Sequence, residues 1–427
     1  MNLFRPTSEI SATPMEVSAQ RTSEILGEAI LASSSRVRDS LPEQHRAHFE
    51  TLRQEIIDFA KAHGIPRDTL AKPDALREAA SKLSTPDLKR LADLLERFEY
   101  LLVHHEPKKE DYTEALEHAE RLYHLKEQYD SQVSLLKEVG ILKEGAITGI
   151  DGKMYPIPTF EQIAVRLFER RETLETKHDQ GFTKLLLVPF GMSLEALLEV
   201  LKQFLLATKK ANPKELFGLL PNCVAEDIGD SSKLVYYPQS FDEDDHQGET
   251  KMEILKTNYK LPTLTPTTTL TPTQTSFPGW TIHLFQPSDP ENQNSSGFAL
   301  IPRRGEGKIY GEEKIRYDIE AGRSAPYYLS LLQDDQNDQG SQYFEETGMT
   351  PEDWIMAFMT HLKETGKPMD NWLSDKESIS CLMGSFFPAD IKVPLAFWMR
   401  IGLRAVMSSE VLYEQNTHTG IRTSVII

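Results

Sequence analysis

The apolar positions of this chain change period twice, and each change marks a boundary. Between 22 and 142 they recur at steps of three and four. Ser40-Leu41-Pro42 opens a helix whose apolar face is Phe49, Leu52, Ile56 and Phe59, and Gly64 ends it. Thr85-Pro86-Asp87 combines a hydroxyl cap, a proline at the first helical position and an acid at the positive end of the helix dipole. Leu88, Leu91, Leu94, Leu95, Phe98 and Leu102 follow as one stripe. A long helix is predicted over 112–139, with Leu116, Ala119, Leu122, Leu125, Tyr129, Val133 and Leu136 on one face and Gly140 closing it. Antiparallel helices on short loops pack such a run economically, so 22–142 reads as a helical domain. The polar residues 1–21 carry no period and read as a disordered tail.

After Gly145 the period shortens. Residues 147–158 read as an extended, turn-rich stretch around Asp151-Gly152, and Thr159 caps a helix running to about His178. Leu185-Leu186-Leu187-Val188 predicts a buried strand, Ser193 caps a helix over 194–209, and 234–237 predicts another strand. Strand–turn–helix succession makes 145–262 a small α/β region. The Thr-Pro repeats of 263–278 cannot pack and read as a linker or surface loop. Beyond them come predicted strands at 280–285 and 298–301, and helices at 327–333 and from Thr350-Pro351-Glu352-Asp353 to 363. Short strands follow, the last at 423–427. The fold class is therefore α+β and multidomain.

Composition narrows the chemistry. At 427 residues, 39% hydrophobic and 26% charged, the chain can bury two or three cores. No stretch approaches the roughly 20 apolar residues that span a bilayer, and Met1 to Glu9 lacks a secretory pattern. A soluble, cytoplasmic protein with no membrane partner is expected. The net charge of −18 is spread along the chain and repels phosphate backbones, so no nucleic-acid partner is expected. Cys223 and Cys381, the two cysteines, have neither metal-ligand spacing nor a disulfide framework.

Motifs for catalysis or cofactors fail on spacing. Asp335 to Gly340 with Glu346 imitates a calcium loop, but Gln339 stands where a shorter ligand belongs and Gly348 interrupts the following helix. Gly305-Glu306-Gly307-Lys308 has the wrong glycine spacing for a phosphate loop, with Ile309 in the hydroxyl position. His45 and His48, His104 and His105, and His118 and His124 lack a zinc signature. The acidic run Asp242 to Asp245 reads as a solvated loop. No serine lies in a Gly-x-Ser-x-Gly turn, although a nucleophile with distant partners leaves no spacing to find. No metal and no cofactor are expected.

One resemblance adds to this. Phe387-Pro388-Ala389-Asp390, then Val393-Pro394-Leu395-Ala396-Phe397-Trp398-Met399-Arg400, and the closing Gly420-Ile421-Arg422-Thr423-Ser424-Val425-Ile426-Ile427 resemble the end of C-type-lectin-like folds. The likeness is to retroelement-diversified variable proteins and formylglycine-generating-enzyme-like relatives. The stretches 150–159, 181–191 and 350–354 resemble an uncharacterised bacterial family with this ending. The resemblance implies a lectin-like ligand-binding region over 279–427, displaying Trp398, Arg400, Arg404, Tyr413, Glu414, Asn416 and His418 to an unknown protein or small ligand. The competing reading packs Phe397 and Trp398 into the core. The lectin calcium tripeptides and the oxidase's cysteine and metal features are missing, so neither chemistry is inherited. The expectation is a non-enzymatic binding protein. Its alternatives are an enzyme with a dispersed polar site after Gly145, or an assembly protein acting through its N-terminal helices.

Overall fold

A computed structural model describes residues 85–104, 109–211, 224–258, 277–289, 295–305, 319–334, 341–372 and 378–427, with scattered positions between 41 and 83 and at 292, 309–310 and 314–315. The expected tail, His45, His48, His105, Cys223, most of the 263–278 segment, Glu306 to Lys308 and the calcium-like loop at 335–340 lie outside the described residues. The chain divides into two compact units: 1–116 with 261–269, and 117–260 with 270–427.

The first unit has its own apolar core. Phe49, Leu52, Ile56 and Phe59 are buried with Leu91, Leu94, Leu95 and Phe98. The latter four lie on α1 (Thr85–His104). Phe49 stacks on Phe98 at 5.1 Å. These are the stripe positions the sequence marks.

Farther along, the expected long helix is two. α2 (Lys109–Tyr123) and α3 (Leu125–Glu138) meet at His124, whose φ of 45° is left-handed. The change of direction lays α3 along a strand edge, which an unbroken periodicity could not foretell. Similarly, the helix capped by Thr159 is α4 (Phe160–Glu169) and α5 (Arg171–Asp179), divided at Arg170. Before them the Asp151-Gly152 turn joins β1 (Ala146–Thr148) to β2 (Met154–Pro156).

The remaining elements, in order, are β3 (Lys184–Val188), α6 (Leu194–Ala211), β4 (Val224–Asp227), β5 (Val235–Tyr236), β6 (Glu249–Thr250), α7 (Lys251–Asn258) and β7 (Thr281–Phe285). After the short β8 (Ile309–Tyr310) and β9 (Lys314–Ile315) come α8 (Ala325–Asp334), β10 (Glu346–Gly348) and α9 (Pro351–Thr365). Then follow β11 (Asn371–Trp372), β12 (Ile379–Cys381), β13 (Ser385–Phe386), β14 (Lys392–Met399), β15 (Arg404–Val411), β16 (Thr419–Gly420) and β17 (Thr423–Ile426). The expected strand at 298–301 reduces to a single bridge, Pro287 to Phe298.

Two sheets organise the second unit. One has the order β10-β17-β7-β3; the other runs β16-β12-β14-β15-β4, with β11 also on β14. The expected division between 145–262 and 279–427 is therefore corrected. β3 pairs with β7, β4 with β15, and β5 with β13, so strands from before the Thr-Pro stretch complete sheets begun after it. Backbone pairing between distant segments leaves no trace in local pattern.

Helix α9 lies between the sheets. Lys184 on β3 reaches Glu364 at 2.7 Å, and His283 on β7 reaches Asp353 at 3.2 Å. On the other side Phe358 stacks on Trp398 of β14 at 5.9 Å. Every residue from Pro351 to Leu362 is buried, as a helix packed on two faces requires. It starts where the sequence predicts, and the start is a capping box: Asp353 N–H donates to Thr350 Oγ1 and Thr350 N–H to Asp353 Oδ2. Gly366, at φ 69°, closes it. Beyond the second sheet, Val393 and Leu395 join Tyr328, Leu329 and Leu332 of α8 in a further apolar cluster.

Candidate functional site

The residues expected to face a ligand do not form one surface. Trp398 is 1% exposed, and this corrects its placement in the site. It follows Pro394 and Ala396 on the face of β14 that meets α9, while Val393, Leu395 and Phe397 belong to the opposite cluster. Both faces of the strand are covered, so an aromatic residue there is core. Arg400 and Arg404 are exposed at the β14–β15 turn, around Ile401, which is 84% exposed. Tyr413 and Glu414 are exposed, and Asn416 and His418 half-buried, in the loop beyond the other end of β15. Eight paired residues, Lys392 opposite Val411 through Met399 opposite Arg404, separate the ends by about 23 Å. The two arginines and the loop residues are distinct places.

The polar chemistry of the second unit lies elsewhere, at the N-terminal end of α9. Glu352 takes Lys251 Nζ at 2.6 Å and the Tyr236 hydroxyl at 2.8 Å. Next to it, His283 stands between two groups, Nδ1 2.9 Å from Ser424 Oγ and Nε2 3.2 Å from Asp353 Oδ1. The latter contact is close but not aligned as a hydrogen bond. Burial, with the Asp353 and Glu352 carboxylates, pushes the Tyr237 phenol far up. Farther along the helix, burial drives the His361 imidazole down to about 4, and its neutral Nδ1 accepts the Phe298 N–H at 3.1 Å. Sequence reasoning missed all of these; Thr-Pro-Glu-Asp showed a helix start and nothing about partners on β7 and β17.

A serine, an imidazole and a carboxylate in a row can activate a hydroxyl. Here Ser424, His283 and Asp353 are each 0% exposed, and Ser424 lies within β17, opposite Thr347 of β10. The row anchors α9 to the sheet. A fluorophosphonate probe is expected to leave Ser424 unlabelled by intact-mass measurement, and an adduct on the Ser424 peptide would overturn this. Ser424→Ala is expected to cost about 1 kcal/mol, one buried hydrogen bond.

A small pocket lies nearby, lined by Tyr237, Leu329, Thr347, Gly348, Met383 and Gly384 among others. Its floor is backbone at close quarters: a Cβ on Gly384 would meet Gly348 O at 2.5 Å. Glu346, its acid, is committed to Lys177 at 2.8 Å. Among the described residues no group of three His, Cys, Asp or Glu could hold a metal. Burial pushes the Cys381 thiol up to about 12, far from a reactive thiolate. No described helix is long and apolar enough to cross a membrane.

The end of the β14–β15 hairpin away from its turn is accessible as well. Ile391, Val411 and Tyr413 are 39%, 49% and 72% exposed, and Glu414 N–H donates to Val411 O at 3.3 Å, turning the loop back over the strand end. Set against known proteins, the chain matches no family model, no curated protein and no solved structure.

Proposed function

We propose that this protein is a non-enzymatic binding protein that recognises a ligand at the loop end of β15, on a lectin-like arrangement of residues 279–427. The observation that carries the reading is where large apolar side chains stay uncovered. Of the nine exposed large hydrophobics among the described residues, four (Ile391, Ile401, Val411 and Tyr413) fall within 391–413. Three of those four gather at one end of one hairpin. Aromatic and aliphatic groups left in water beside polar loop residues are the materials of a recognition surface. The buried carboxylates Glu346, Glu352 and Asp370, by contrast, are matched inside by Lys177, Lys251 and Arg422.

The lectin-like reading draws support from the way the C-terminal segment closes. β7 and β17, its first and last strands, pair antiparallel, Leu284 opposite Val425 and His283 opposite Ile426. The binding surface is then Val411, Tyr413, Glu414, Asn416 and His418. The acidic balance of −18 favours a protein or small ligand over a nucleic acid.

Close relatives supply the test. Substitutions concentrated at 411–418, over an unchanged Trp398, Asp370 and Arg422, are the expected result. Substitutions spread evenly along the last 40 or so residues would remove the reading.

A further inference from the structure

We propose that the polar cluster at the start of α9 binds one divalent transition-metal ion, held by Asp353 Oδ1 and His283 Nε2 with the hydroxyls of Tyr237 and Thr281 beside them. The inference is independent of the surface at the loop end of β15.

Atoms without partners point to it. Asp353 Oδ2 takes the Thr350 N–H, which leaves Oδ1 facing His283 Nε2 at 3.2 Å. Neither of those two atoms has a hydrogen-bond partner, and both residues are wholly buried. Tyr237 and Thr281 repeat the pattern: their buried hydroxyls are neighbours but are not aligned on one another. Thr281 is two residues from His283 on β7, so both side chains stand on the face toward α9. The Tyr237 hydroxyl lies in the field of the Asp353 and Glu352 carboxylates, and Glu352 Oε2 is a fifth buried atom without a partner. Buried polar groups are nearly always hydrogen-bonded, so five such atoms together call for a body between them.

Charge and spacing say what that body is. Glu352 is matched by Lys251 at 2.6 Å. Among the described residues the ion-pair partner of Asp353 is His283, not a lysine or arginine. Buried charges are paired or bound to metals. Two ligand atoms each about 2.1 Å from one ion stand about 3.0–3.4 Å apart at octahedral or tetrahedral angles. The His283–Asp353 distance lies in that interval.

An imidazole nitrogen joined by oxygen donors suits zinc or manganese. Ser424 Oγ, 2.9 Å from His283 Nδ1, can accept its proton and leave the Nε2 lone pair to the ion, as the outer partner of a ligating histidine does. The described residues contain no group of three His, Cys, Asp or Glu suited to a metal; here two such residues are completed by hydroxyl oxygens. Tyr237 also lines the small pocket beside Gly384, so that pocket reaches the edge of the cluster.

The full chain, stripped with a chelator and dialysed, is titrated with Zn2+ and with Mn2+ by isothermal calorimetry. Thermal melts are recorded with and without each metal. One ion per chain is expected for at least one of the two metals, with a clear rise in Tm. His283→Gln and Asp353→Asn should each weaken binding roughly tenfold or more and remove most of that rise. Asparagine keeps an oxygen for the Thr350 N–H, so the helix cap survives. Ser424→Ala, which disturbs the fold least, should also weaken binding about tenfold, and it decides the matter if the other two variants do not fold. A parent chain whose Tm neither metal raises would overturn the site, with water filling the cluster. Binding that is the same in every variant that folds would overturn it too, by placing the ion elsewhere.

Discussion

Asp370→Ala is expected to destabilise the second unit by about 3–5 kcal/mol, the cost of stranding a buried charge. Arg422 approaches Asp370 with both terminal nitrogens, at 2.6 and 2.8 Å, and both side chains are almost wholly buried. The rest of the guanidinium is also placed: Nε donates to Ala299 O at 2.8 Å and Nη1 to Ser380 Oγ at 3.0 Å. Asp370 Oδ2 in turn takes the Trp354 indole N–H at 2.8 Å and the Ser380 hydroxyl at 2.7 Å. One carboxylate thus joins α9, β12 and the approach to β17. Its backbone joins β14 as well, since Trp398 N–H donates to Asp370 O. Asp370 also holds a left-handed φ of 50°, which aspartate tolerates better than alanine.

Urea unfolding followed by fluorescence measures the loss. Because the damage comes from the unpaired guanidinium, Asp370→Leu combined with Arg422→Met should lose less than Asp370→Ala alone. A loss below 1 kcal/mol for the single variant would show that the pair is not the clasp described.

Gln132→Leu is expected to cost about 2–6 kcal/mol, from two buried backbone groups left without partners at roughly 1–3 kcal/mol each. β3 is the outer strand of its sheet, with all five residues buried. An outer strand presents unpaired N–H and C=O groups, and here α3 supplies them with side-chain amides. Leu187 N–H donates to Gln132 Oε1 at 2.7 Å, and Gln132 Nε2 donates back to Leu185 O. One turn earlier, Leu185 N–H donates to Gln128 Oε1 at 2.8 Å, while Gln128 Nε2 reaches Thr183 O. Two glutamines four residues apart on one helix face therefore act as a substitute strand.

Hydrogen exchange gives the sharper readout. The Leu187 amide should exchange markedly faster in Gln132→Leu, with the Val425 amide, inside the sheet, changing less. Equal protection of Leu187 in both proteins would mean that the helix, not the amide, shields the edge.

These two sites show what local reading reaches. Gln128 and Gln132 look like ordinary polar interruptions of the apolar face of a helix, and Arg422 looks like a surface residue of a closing strand. Each is drawn inward by a partner far away in sequence, 52 to 57 residues for these contacts. The same holds for His283 and Ser424, 141 residues apart. Trp398 is the opposite case, since its core placement follows once both faces of β14 are seen to be covered. Tyr413 is exposed, but its place in the candidate site rests on the resemblance and not on any local pattern.

By itself, the amino-acid order settled where α9 starts, that Ser193 begins α6, that 185–188 lies in a buried strand, and that two kinds of architecture follow one another along the chain. Caps, turns and burial periodicity act over three or four residues, so they are written locally. Tertiary structure alone decided that strands from either side of the Thr-Pro stretch share sheets, that α9 is enclosed between them, and which carboxylates are matched by cations. Those outcomes depend on backbone pairing and desolvation between distant segments, whose energies exist only once the segments have met.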